Sequence, residues 1–168
     1  MSAIPQIREV EFPTEIDNDG VRVEGLSCGS LFPQAIWTLY NEMSLQYHPK
    51  RTEVYLVLDG ELLVYRGRLY PQDLTRTVAE LQETRIRRGD NILIERGIVH
   101  SPVNINSTPA RVLELSDIIP YDHEDIIRIH DKHGRATFPG FKKGASIEEL
   151  VKYCRTQYAT RGRAPADS

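Results

Sequence analysis

The sequence predicts an all-β, antiparallel sandwich or barrel followed by one short α-helix. Short segments rich in β-branched and aromatic residues recur along most of the chain, punctuated by Gly, Pro, Asn and Asp. Asp59-Gly60 stands between "VYLVL" and "ELLVY", a tight-turn signal in which glycine supplies positive φ. Helical periodicity appears near the C-terminus, in "SIEELVKYCRTQYATRG".

Taken in order, the strand segments are "QIREVEF", "VRVEGL", "AIWTLYNEMSLQYH", "EVYLVLDGELLVYRG", "ELQETRIRRG", "NILIERG", "IVHSPVNI" and "ARVLELSDI". The Asp59-Gly60 signal makes the segments on either side of it a hairpin of two neighbouring antiparallel strands. Residues 66–85, "RGRLYPQDLTRTVAELQETR", are more polar and predict a long loop that overhangs one end of the barrel. The helix is expected over 146–158, because Ile147, Leu150, Val151 and Cys154 share one face. Ser146 and Glu149 have the spacing of a capping box at its start. His123, His130 and His133 lie in a polar segment and are read as solvent-facing.

A length of 168 residues with 40% hydrophobic and 27% charged fits one domain, 1–160 with its core over about 30–135 and a frayed tail at 161–168. A formal net charge of −3, with both signs interspersed, argues against a nucleic-acid partner. Neither a signal-peptide core nor a membrane-length apolar run is present, so a soluble, cytoplasmic protein with no membrane partner is expected. Cys28 and Cys154 are far apart and have no zinc-site spacing, which leaves two free thiols.

Chemistry concentrates in "SLQYHPKRTEVYLVLDG". Residues two apart on a strand share a face, so Gln46 and His48 lie side by side while Tyr47 points away. Pro49 ends that strand, and Glu53 begins the next on the same inner face. A second histidine, His100, follows the turn glycines Gly89 and Gly97. Two histidines, one carboxylate and the Gln46 amide oxygen make a ligand set for one divalent metal ion, with positions left open. With no thiolate in the set, Zn, Mn, Fe, Co and Ni all remain candidates.

These residues resemble the two motifs of the cupin superfamily. The first stands as Gln46-x-His48, four residues, Glu53, six residues, Gly60, with glutamine where cupins usually have a histidine. The second stands as Gly89, Gly97, His100 and Asn104, with Glu95 in place of the usual proline. The resemblance implies a cupin (jelly-roll, double-stranded β-helix) barrel. Within that superfamily, "SLQYHPKRTE" is similar to the Ser-Leu-Gln-x-His and Arg-x-Glu stretch of type II mannose-6-phosphate isomerases. The similarity continues through "HEDIIRIHDKHGR", where Glu124, Asp125, Ile126, Arg128, Asp131, Gly134 and Arg135 match an acidic pair, Ile-x-Arg and a closing Asp-x-x-Gly-Arg. Pro49 and Lys50 depart from that family, as does Ser101 where an arginine is usual.

The resemblance implies a metal-dependent aldose–ketose isomerase acting on a sugar or sugar phosphate, and a homodimer in which "IPQIREVEF" is an exchanged or edge strand. Such a reaction needs a base, for which Glu114 and then Glu124 are candidates. Lys50, Arg51 and Arg135 are candidates for contacting a phosphate. Two other function classes fit the same ligand set: a cupin dioxygenase holding ferrous iron, and a non-catalytic sugar-binding or regulatory cupin.

Overall fold

The computed structural model describes residues 21–27, 34–117, 125–135 and 141–161. The described residues form two five-stranded sheets and two helices. In chain order the strands are β1 (Val21–Ser27), β2 (Gln34–Leu39), β3 (Leu45–Tyr47), β4 (Glu53–Asp59), β5 (Glu61–Arg68), β6 (Gln82–Arg87), β7 (Asn91–Ile94), β8 (Ile98–Asn104), β9 (Ala110–Ser116) and β10 (Ile127–His130). Helix α1 (Leu74–Ala79) precedes β6, and α2 (Ile147–Arg161) follows β10. The first sheet has the order β1-β2-β9-β4-β7 and the second β10-β3-β8-β5-β6, with antiparallel pairing throughout. The expected "QIREVEF" strand lies outside the described residues.

Alternation along the strands builds the interior. Ala35, Trp37 and Leu39 on β2, Tyr55 and Val57 on β4, Leu62 and Val64 on β5 and Val112 on β9 are buried and form one apolar cluster between the sheets. The alternate residues of the second sheet, Leu45, Tyr65 and Val99, join Ile129 in a second cluster. Val78 and Leu81 close over it from the α1 segment, and Ile147, Leu150, Val151 and Cys154 from α2. The two helices thus cover the outer face of the second sheet. At the α1 end of this contact, Arg155 of α2 donates to the carbonyls of Ala79 and Leu81 and pairs with Glu83 at 2.8 Å. Those carbonyls would otherwise lack helical partners.

Two expectations are corrected. Residues 66–85 are not a loop: β5 runs on to Arg68, α1 follows, and β6 begins at Gln82. The physical cause is legible in the chain, since the Asp73 carboxylate accepts from the Arg76 N–H as an N-cap while Thr77 and Val78 are buried. Nor is Asp59-Gly60 a hairpin turn between paired strands. β4 pairs with β7 and β9, whereas β5 pairs with β6 and β8, so this turn carries the chain from one sheet to the other. Gly60 has φ of 82°, and a Cβ there would stand 3.0 Å from the Ala110 Cβ. The corner therefore needs glycine on two counts.

The C-terminal helix forms as expected, with Ser146 and Glu149 exchanging backbone hydrogen bonds as a capping box. It extends to Arg161, three residues beyond the expected end. Gly60→Ala is expected to destabilise the protein by about 2 kcal/mol, the combined effect of positive φ and crowding against Ala110. Urea denaturation would measure this, and a loss below about 0.5 kcal/mol would show that the corner tolerates a side chain.

Candidate metal centre

β3, β4 and β8 bring the expected ligands together. Gln46 and His100 are directly opposite across the β3–β8 pair, and His48 follows β3 on the same alternation. Glu53 opens β4 on the facing sheet, between Ser116 of β9 and Ile94 of β7. His48, Glu53 and His100 are all buried, and one ligand atom from each lies within 4.8 Å of the others. His48 Nε2 is 3.4 Å from Glu53 Oε1, and His100 Nε2 is 3.4 Å from Glu53 Oε2.

The second ring nitrogens fix which lone pairs face inward. His48 Nδ1 lies 3.1 Å from the Asp125 carbonyl and His100 Nδ1 lies 3.0 Å from the Ile98 carbonyl. A carbonyl only accepts, so both Nδ1 atoms carry the proton and both Nε2 atoms present lone pairs toward Glu53. His100 Nε2 is buried with no hydrogen-bond partner. Burial lowers the His48 pKa to about 4 against the opposing pull of the Glu53 charge, which keeps the ring neutral as a ligand requires. This donor set fits a divalent metal.

Gln46 is buried beside His100, and its Oε1 accepts from the Ser44 hydroxyl at 2.9 Å. That contact orients the amide and uses one of its two lone pairs.

Around the three ligands lies a shell that the sequence only partly indicated. Tyr55 donates to Glu53 Oε2 at 2.7 Å, and Arg51 Nε sits 2.8 Å from Glu53 Oε1. One Arg51 guanidinium nitrogen also lies 3.1 and 3.3 Å from the two ring nitrogens of His48. Burial opposes the Glu53 charge and the adjacent Arg51 guanidinium favours it, and its pKa falls below the ordinary carboxylate range. Burial, and then the Glu53 charge, drives the Tyr55 pKa well above 10, so its hydroxyl remains a donor.

Glu114 stands opposite Tyr55 on β9, 4% exposed, and accepts the Trp37 indole N–H at 3.0 Å. Burial, and then Glu53, pushes its pKa up to about 8, so this carboxyl is mostly neutral at pH 7. Two neighbouring carboxyl groups are thereby held in different protonation states. Trp37 and Tyr55 meet edge to face, with centroids 5.4 Å apart, and wall this side of the cluster.

The remaining expected site residues do not converge on the metal ligands. Lys50 is exposed, and its backbone N–H donates to the Asp125 carboxylate. Arg135 is tied into its own turn, with Nε 2.6 Å from Asp131 Oδ2. Asp131 also accepts the backbone N–H groups of His133 and Arg135. Glu124 and His123 lie outside the described residues. His130 is not solvent-facing: it is 3% exposed, with Nε2 2.8 Å from the Ala145 carbonyl. It belongs to β10, a strand absent from the sequence expectation because its neighbours are polar. Asp125, which orients His48 through its carbonyl, was visible in the sequence only as half of an acidic pair.

Residues 41–116 match the family of Cupin domains. The two-sheet antiparallel barrel, with the motif histidines and glutamate on its inner faces, decides the architecture. The protein has a cupin fold. Bacillus subtilis oxalate decarboxylase, in a structure concerned with its Mn(II) centres, is 16% identical with a TM-score of 0.53, over 68% of this chain and 29% of that one. Peruvianin-I, a cysteine peptidase from Thevetia peruviana latex, is 17% identical with a TM-score of 0.51, over 64% of this chain and 67% of that one. KdgF from Halomonas sp. is 13% identical with a TM-score of 0.48, over 62% and 84%. No curated protein matches the chain. A fold shared by a decarboxylase and a peptidase leaves function to be argued from the site.

Two outcomes test this geometry. Glu53→Gln leaves the Arg51 guanidinium buried beside a neutral amide, and is expected to lower stability by about 3 kcal/mol in chemical denaturation; an unchanged midpoint would show that the ion pair does not support the fold. For Asp131, burial opposes the charge but the Arg135 hydrogen bond and two backbone N–H groups outweigh it, setting the pKa below 3.8. Asp131→Asn is therefore expected to cost ~1 kcal/mol at pH 7. The gap to the wild type should shrink as pH falls below about 4 and close once Asp131 is protonated in the native state. A gap that is constant down to pH 2 would exclude this linkage.

Proposed function

We propose that this protein is a metal-dependent aldose–ketose isomerase acting on a sugar or sugar phosphate. The observation that carries the reading is a neutral, buried carboxyl group, Glu114, beside the His48, Glu53 and His100 ligand set. His48, Glu53 and His100 would hold one divalent metal ion, with the Gln46 amide oxygen completing the set. Bound there, such an ion supplies Lewis-acid stabilisation for charge that develops on a substrate carbonyl oxygen and the neighbouring hydroxyl.

The chain's own residues account for the rest. Aldose–ketose conversion moves a proton between two adjacent carbons, so one group must take it and return it. Glu114 is assigned this role, its carboxyl held by the Trp37 indole N–H: with the pKa raised by burial to about 8, the ionised fraction takes the proton and the acid so formed returns it to the adjacent carbon. Tyr55 keeps Glu53 oriented by donating to Oε2, which leaves the carboxylate charge available at the ligand cluster. Walls built from Trp37 and Tyr55 exclude water from the side where Glu114 stands. The similarity of "SLQYHPKRTE" and "HEDIIRIHDKHGR" to type II mannose-6-phosphate isomerases supports the choice of reaction.

A ligand set of two histidines and one carboxylate also suits ferrous iron in an oxygenase, which makes a cupin dioxygenase the second reading. Metal-stripped protein resupplied separately with Zn, Mn, Fe, Co and Ni should convert mannose 6-phosphate or a free sugar in a coupled assay, and His48→Ala should abolish both metal retention and turnover. Glu114→Gln should retain the metal and lose about 10²–10⁴-fold in turnover number. Full activity in Glu114→Gln would remove Glu114 from the mechanism. Oxygen uptake by the iron-loaded protein without isomerase turnover would favour the dioxygenase.

A further inference from the structure

Strand register places two arginines in line with the ligand cluster. On the inner face of the second sheet, Arg128 of β10 is directly opposite Gln46 of β3. Gln46 is opposite His100 of β8, and His100 is opposite Arg66 of β5. Residues directly opposite on antiparallel strands share a face. Arg128, Gln46, His100 and Arg66 therefore form one row across four strands, with the metal ligand between two cationic residues.

The two arginines are anchored differently. Arg66 reaches out of the row to donate to the Leu93 carbonyl at 3.3 Å, which links the second sheet to β7 of the first. Arg128 is half-buried, with its Nε out of contact with solvent, on the edge strand beyond Gln46. The other basic candidates are placed for different tasks: Arg51 against Glu53, Arg135 in the Asp131 turn, and Lys50 exposed.

We infer that Arg128 recognises the distal anionic group of the ligand, and that the ligand is a phosphorylated or carboxylated polyol or sugar rather than a neutral one. This rests on the metal-site reading above. Adjacent strands are roughly 4.8 Å apart, so Arg128 and His100, two strands apart, have their backbones separated by roughly 10 Å. That spacing suits a chain of several carbons with oxygens at the ligand cluster and a phosphate or carboxylate at its far end. Guanidinium geometry favours bidentate contact with either anion. Gln46 lies between the two ends, where an amide can hydrogen-bond the intervening hydroxyl groups.

The test is calorimetric titration of manganese-loaded protein with mannose 6-phosphate, mannose and inorganic phosphate, in the wild type, Arg128→Gln, Arg128→Lys and Lys50→Gln. Expected are at least tenfold weaker binding of mannose 6-phosphate or inorganic phosphate in Arg128→Gln, partial recovery in Arg128→Lys, and no change in Lys50→Gln. Any binding of mannose should be the same in Arg128→Gln as in the wild type. Equal anion binding by the wild type and Arg128→Gln, a comparable loss in Lys50→Gln, or no binding of either anion by the wild type would overturn the inference. Manganese affinity, measured separately by electron paramagnetic resonance, should be unaltered by Arg128→Gln. A wild type that takes up no manganese would overturn the metal reading, and the same titrations on metal-free protein would still decide whether phosphate binding depends on Arg128.

Discussion

Burying the Glu53 carboxylate between two sheets, at 2% exposure, commits its surroundings to supplying compensation for the lost hydration. Each neighbour meets that need from a different element. Tyr55 supplies an O–H from the same strand and Arg51 a charge from the preceding turn. The other site residues are in turn held by Asp125, Ile98 and Trp37 through contacts to His48, His100 and Glu114. Apolar residues deeper in the barrel then fix how far apart the two sheets stand, and hence the ligand separations.

The architecture is asymmetric around this centre. The second sheet carries α1 and α2 on its outer face, and the buried stripe of α2 presses on the side chains that alternate with Gln46 and His100. Leu45 and Tyr47 flank Gln46 on that side, and Val99 precedes His100. A shift of the helices would therefore be felt at the ligands through single backbone steps. Arg155, bound to the end of α1, restrains such a shift.

Most of the fold was legible because strand alternation and turn chemistry are local properties. Gln46, His48, Glu53 and His100 could be assigned to one inner face because a period of two leaves little choice once the strand is recognised. What escaped was non-local. Asp59-Gly60 has the same local chemistry whether its flanking strands pair with each other or enter different sheets, and only the contacts of β7, β8 and β9 decide between them. Helix α1 was obscured by its polar face, although Asp73 and Val78 carried the signal. Arg135 matched a family motif, but its partner, Asp131, is four residues away and satisfies it locally. The Glu114 carboxyl is held by Trp37, seventy-seven residues distant, and no spacing rule connects the two.

The Arg51–Glu53 contact bears on how the candidate cluster stands when it holds no ion. Many small metal-binding folds collapse on chelation because their ligands repel one another or are left desolvated and uncompensated. Here the guanidinium lies against both Glu53 and the His48 ring, so a positive charge is already built into the chain at the anionic ligand. Without an ion, the carboxylate is not left alone in the core. The barrel therefore carries its own counter-charge at this carboxylate, independent of any ion the cluster could hold.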